Sequence, residues 1–312
     1  MHVLRFLLIG ALVAGTARAA DPAAQPKTVK MFNIGNSFSN NATRYLMDIT
    51  KAAGHKLVLK AAVIGGSSMA VHWAKVEANE ADPTDAKGLY AGNKSLKELL
   101  ASDKWDIITI QQASFISNDI KNYRPYAKQL KDYVAEHVPQ AELVLHETWP
   151  YRSDDPRFTP KGTATPQTQK MMYEGLAAAY SEIAKELGLR IVPVGDAFYL
   201  ADTDAKFGYK PDAKFDFKEA KSPALPDQSN SLHVGWRWTK SPAGDTKLTI
   251  DGHHASMAGE YLGACVFFEF LFNESVVGNK FIPQGLKPEH ALFLQETAHK
   301  AVAKAREGKP KK

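Results

Sequence analysis

Five short apolar runs, each separated from the next by a segment of helical or polar character, constrain this chain more than any other feature. Residues 28–34 (TVKMFNI), 56–64 (KLVLKAAVI), 105–110 (WDIITI), 141–147 (AELVLHE) and 189–194 (LRIVPV) read as strands. Between them lie helical patterns such as 44–54, 96–102 and 126–138. A further one starts near Gln169, with Met172, Leu176, Ala179, Ile183 and Leu187 on one stripe and Gly188 at its end. Strands joined by helical crossovers close a parallel sheet, with right-handed connections and helices on both faces. The expected fold class is α/β: three α/β/α layers around a central five-stranded parallel sheet. Chemistry in such a sheet sits beyond the carboxyl ends of its strands.

The pattern fails between about residues 201 and 248, which are rich in Asp, Lys, Pro and Ser and contain HVGWRW. No helical or strand period is sustained there, so an irregular, ordered insertion is expected. Trp236 and Trp238 either anchor it to the body or stack on a sugar. Residues 255–272 then read as a strongly apolar helix and 290–306 as an amphipathic one.

The first nineteen residues read as an address. Arg5 precedes an apolar run over 6–14 that is too short to span a bilayer, and Ala17-Arg18-Ala19 has the small-x-small form of a signal-peptide cleavage site. Residues 20–312 are then expected to form a single exported domain, periplasmic or extracellular, with no membrane association after cleavage. Losing Arg5 and Arg18 brings the formal charge of +5 down to +3. That mild surplus comes without a basic stripe interleaved with aromatics, which argues against a nucleic-acid partner. Cys265 is the only cysteine, so no intramolecular disulfide forms, and its apolar neighbours make it a small buried hydrophobe. The sequence sets no oligomeric state.

Ester hydrolysis by a nucleophile needs a hydroxyl, a base, a group that orients the base, and donors for the oxyanion. Ser37 follows the first strand in IGNSFSN, Gly65-Gly66 follow the second, Gln111-Gln112 the third, and Asp251 and His254 lie in DGHHAS before the apolar helix. Each alone is ordinary: a serine or Asn40 in a turn caps helices, paired glycines make turns, and histidines near an aspartate populate surfaces. Their succession along strand ends is what points to one crevice.

These blocks, IGNSF, IGGSS, ITIQQAS, ETW and DGHHAS…GEYLGACVFFEFL, resemble the SGNH/GDSL hydrolase superfamily of serine esterases, and within it a group of exported bacterial proteins. The resemblance covers about 28–200 and 249–275. It implies a flavodoxin-like SGNH fold, no cofactor and no metal, and an ester of a small acyl group such as acetyl on a carbohydrate as substrate. Carried over residue by residue, Ser37 is the nucleophile, His254 the general base and Asp251 its orienting carboxylate, reached through a turn. His253 is the competing base and is expected to point away. The Ser37 and Gly66 N–H groups are the expected oxyanion donors. The family's third donor, an asparagine in a Gly-x-Asn-Asp block, is replaced by QQAS, so Gln111 takes that place, with Gln112 as the alternative. His72 and Trp149, with His146 nearby, are expected to line the substrate pocket. Two other readings stay open: a non-catalytic carbohydrate-binding protein on the same fold, suggested by QQAS, and a metal site made of Asp251, His253 and His254.

Overall fold

The computed structural model describes residues 25–158, 166–242 and 244–307, and the expected leader lies outside them. Five strands, β1 (Thr28–Gly35), β2 (Lys56–Val63), β3 (Ile107–Ile110), β4 (Glu142–His146) and β5 (Arg190–Val192), pair in parallel in the order β2-β1-β3-β4-β5. The chain builds outward from β1 to β2, then returns past β1 to lay down β3. Connections therefore diverge between β1 and β3, and the loops after these two strands part to leave a crevice at the carboxyl edge.

Helices flank the sheet. Among them α1 (Ser37–Ala42), α2 (Leu46–Ala52), α3 (Met69–Ala81), α4 (Leu96–Leu100), α5 (Tyr126–His137) and α6 (Gln169–Leu187) alternate with the strands. They are followed by α7 (Val194–Asp202), α8 (Met257–Phe272) and α9 (Pro288–Glu307). Helices α3, α4 and α5 pack together, while α1, α2, α7 and α9 gather on α8. That central role explains why α8 is apolar all round: Tyr261, Leu262, Cys265, Phe267 and Phe268 are all buried. Its buried carboxylate, Glu269, is met by His299 Nδ1 at 2.7 Å and the Val276 N–H at 3.1 Å. Among the described residues no helix is long and apolar enough to cross a membrane.

Two expectations about the chain's course need correction. The fifth strand stops at Val192, because Pro193 has no N–H for the ladder and its fixed φ opens α7 instead. The 201–248 stretch is not wholly irregular. It contains β6 (His233–Lys240), which pairs antiparallel with β7 (Thr246–Ala255). The signal was present as alternation in TKLTID, but the hairpin packs largely on its own loop, Trp236 against Phe217 and Trp238 Nε1 on the Ala224 carbonyl, so its composition stays polar.

Candidate active site

Strand β1 ends on glycine because there is no room for more. A Cβ on Gly35 would come within 2.8 Å of Gln111 Oε1 and closer still to Ser39 Oγ. The next residue, Asn36, is extended and caps α1, its side chain accepting from the Phe38 N–H at 2.9 Å. This sets Ser37 as the first helical residue at the sheet's carboxyl edge, whereas α2 starts after Tyr45 with no side-chain cap, from Asn40 or otherwise. Asn36 also donates to the Ser67 carbonyl at 2.9 Å, tying the β1 loop to the β2 loop.

Asp251, His253 and His254 arrive on β7. In a regular strand, residues three apart face opposite sides of the sheet. Here His233 pairs with Ala255 and Gly235 with Asp251, so Val234 alone opposes Gly252, His253 and His254. This bulge, not the expected turn, swings His254 back over Asp251. His254 Nδ1 lies 3.0 and 3.2 Å from the two carboxylate oxygens, and its backbone N–H donates to Oδ1 at 3.1 Å. On the far side of the ring, Nε2 is 2.9 Å from Ser37 Oγ. Burial alone would raise the Asp251 carboxyl. The His254 ring and N–H bonds, with the nearby imidazoles, outweigh it and hold the group well below the usual carboxylate range. Asp251 is thus an anion at any pH where His254 must be steered.

His253 does not point away. Its Nδ1 lies 3.1 Å from Asp251 Oδ1, its ring centre is 4.1 Å from that of His254, and both rings line the same pocket. Burial pushes the His253 imidazole down, with Asp251 pulling the other way. Only His254 reaches Ser37.

Two backbone N–H groups, those of Ser37 and Gly66, have no acceptor among the described residues. Gly66 has φ +65°, a left-handed conformation that a side chain would strain although nothing would obstruct it sterically. Gln111 sits elsewhere than expected. It is fully buried beneath the loop: Nε2 donates to Asn36 Oδ1 at 2.8 Å, while Oε1 accepts from Ser39 Oγ and, at 3.1 Å, from His146 Nδ1. Gln112 is likewise committed, to the Asn122 carbonyl and the Met69 and Ala113 N–H groups. Gln111 positions the serine loop rather than facing the pocket. Gln111→Ala is therefore expected to cost about 3 kcal/mol of stability in urea denaturation, because three buried polar partners lose their hydrogen bond together. An unchanged denaturation midpoint would contradict that placement.

The pocket, about 320 Å³, is lined by Ser37, Gly66, His253 and His254 together with Phe115, Tyr151 and Arg157. His72 and Trp149 are not in its wall. His72 is buried behind the β1 loop, with Nε2 3.1 Å from the Gly35 carbonyl and Nδ1 2.8 Å from Tyr90 Oη, and burial lowers it to about 4. Trp149 is fully buried, stacked between Phe38 and Phe198 at 4.1 and 4.5 Å, and its Nε1 holds the His253 carbonyl at 2.9 Å. His146 is also buried, and burial takes it down to about 3. The wall residues that the sequence reading passed over, Tyr151 and Arg157, belong to the long polar loop after β4, whose position at a strand end was the available signal.

A family model described as a domain of unknown function, DUF4886, matches residues 30–212, a range that includes Ser37, Gly66 and Gln111 and ends before Asp251. The crystal structure of a DUF4886 family protein from Bacteroides uniformis is similar over 88% of this chain and 95% of that one, with 26% identity and a TM-score of 0.68. SGNH- and GDSL-type hydrolases are looser structural neighbours. One is a Slackia heliotrinireducens protein assigned as an SGNH hydrolase, at 18% identity over 78% of this chain and 98% of that one, TM-score 0.42. Another, assigned as a GDSL-like lipase, is from Parabacteroides merdae, at 12% identity over 81% and 100%, TM-score 0.45. At those scores the likeness is one of outline and says nothing of chemistry. No curated protein matches the chain.

Proposed function

We propose that this chain, which belongs to the DUF4886 family, is an exported serine esterase that removes a small acyl group such as acetyl from a carbohydrate. The observation that carries the reading is the unbroken path from Ser37 Oγ to His254 Nε2 at 2.9 Å and from His254 Nδ1 to Asp251 at 3.0 Å. Ser37 Oγ attacks the ester carbonyl as its proton passes to His254 Nε2, and Asp251 steadies the imidazolium. The carbonyl oxygen, now negative, accepts from the Ser37 and Gly66 N–H groups. The C–O bond to the alcohol then breaks as His254 returns the proton to the leaving oxygen. Water repeats the sequence on the acyl-serine, releasing the acid and restoring Ser37. The pocket volume suits a small acyl group, and the exposed ring of Phe115 suits a sugar face. Export rests on the leader pattern alone.

The second reading, a divalent cation on Asp251, His253 and His254, draws on their donor atoms lying within 4.8 Å of one another. Covalent labelling by a fluorophosphonate separates all three readings. The expected result is stoichiometric labelling of the chelator-treated wild type and none of Ser37→Ala. No labelling of the wild type would favour a binding protein, and ester turnover abolished by a chelator would favour the cation.

A further inference from the structure

We propose that Arg157 makes this site selective for acyl esters of acidic sugars, in which a carboxylate lies close to the scissile bond; the substrate class thus deepens, and rests on, the esterase reading. A guanidinium has five N–H donors in a planar fork. Arg157 commits one edge to Asp155, with Nε 2.7 Å from Oδ1 and Nη2 2.6 Å from Oδ2, and Nη2 also lies 3.3 Å from His253 Nδ1. Nη1 has no acceptor among the described residues.

The orientation is fixed from below as well. The guanidinium carbon lies 3.8 Å from the centre of the Tyr151 ring, and Tyr151 Oη is held by Ser114 Oγ at 3.1 Å. Asp155 is almost fully buried while 44% of the Arg157 side chain is exposed, so the pair's negative half lies under the surface and its positive half lines the pocket. A pair built only to brace the loop has no need to present unspent donors there. A preorganised fork of this kind takes a planar carboxylate without first having to be ordered.

The arginine is also near enough to bear on the chemistry. It contacts His253, whose ring centre lies 4.1 Å from that of His254, tilted by 41°, and His254 is the group in contact with Ser37. Two imidazoles therefore separate the anion's seat from the reacting oxygen. His253 Nδ1 cannot both donate to Asp251 and accept from Arg157. A substrate carboxylate that draws the Arg157 donors to itself leaves His253 to donate to Asp251, so binding the anion firms the catalytic carboxylate's own hydrogen bonds.

The test compares the same O-acetyl ester on glucuronate and on glucose. Wild type is expected to show a kcat/KM ratio favouring the glucuronate ester by on the order of 10- to 100-fold, carried mainly by KM and shrinking with added salt. In Arg157→Gln the ratio falls to near one, and in Arg157→Lys, which keeps the charge but not the fork, it is intermediate. A parallel measurement does not depend on turnover: calorimetric binding of both sugars to Ser37→Ala, with and without Arg157→Gln. If neither ester is cleaved and Ser37 is not labelled, the esterase reading fails on its own. The binding arm then still decides, since a preference for the charged sugar that Arg157→Gln removes upholds the arginine's role. Equal handling of the two sugars by the parent proteins, or a preference that survives Arg157→Gln, overturns it.

Discussion

Ser37→Ala and His254→Ala are each expected to lower ester turnover by about 10⁴- to 10⁶-fold, and the double variant by no more than either alone. The reason is that hydroxyl and imidazole do one thing together: the oxygen becomes a nucleophile only as its proton leaves for Nε2, so losing either partner forfeits the same step. His254→Ala carries a second message. His253 shares the Asp251 carboxylate at 3.1 Å and lines the same pocket. If it could serve as base, His254→Ala would lose far less than Ser37→Ala. Equal losses in kcat, measured on a simple acetyl ester, assign the proton to His254, whereas a small loss on His254→Ala would reassign it. What remains in either variant comes from the Ser37 and Gly66 N–H groups and from binding.

The largest expected loss of stability comes from Arg152→Met, about 3–5 kcal/mol in denaturant unfolding, because a buried ion pair would lose one partner. Arg152 is fully buried. It grips Asp154 with Nε at 2.6 Å and Nη2 at 2.9 Å, while Nη1 reaches Gln228 Oε1 at 2.7 Å and Ser231 Oγ at 3.3 Å. Asp154 in turn accepts from Tyr209 Oη at 3.0 Å and Trp236 Nε1 at 3.2 Å. One guanidinium thus docks the 201–248 stretch onto the loop after β4. Its own backbone N–H donates to the Gly252 carbonyl at 2.8 Å, inside the bulge that carries the histidines. Replacing both charges, Arg152→Met with Asp154→Leu, should restore little of the loss, since Tyr209 Oη and Trp236 Nε1 then lose their acceptor as well. A single-variant loss under about 1 kcal/mol would mean that water reaches Asp154 and the insertion is held elsewhere.

The parts legible in the sequence are those whose neighbours in the chain are also their neighbours in energy. β1, β3 and β4 could be read because strands buried on both faces give near-continuous apolar runs, such as Met31–Ile34 with Asn33 its one polar residue and Leu143–Leu145, while the partly exposed edge strand β2 was legible from Leu57, Val58 and Leu59. Ser37, Gly66, Asp251 and His254 could be picked out because each sits beside local chemistry, a glycine or an acid, at an element's end. Gln111 was misplaced because its partners, Asn36 and Ser39 on one stretch of chain and His146 on another, are remote in sequence, and nothing in QQAS says which way an amide turns. His72 and Trp149 were misjudged for a related reason. An imidazole or indole next to a site serves equally as wall or as foundation, and only the stacking on Phe38 and Phe198, or the bond to the Gly35 carbonyl, decides between them. The β6–β7 hairpin was missed because it rests on loop residues, so burial leaves no strong period in its sequence.

That hairpin divides the site into two halves with separate supports. Ser37 is tied to the sheet through Asn36, Gln111 and His72, whereas Asp251 and His254 ride together on a single bulged strand. A displacement of the strand by one ångström would part His254 from Ser37 while leaving the aspartate–imidazole couple whole. For the proposed hydrolysis, competence is therefore a matter of docking, and a fully formed couple held slightly off its platform would be inert.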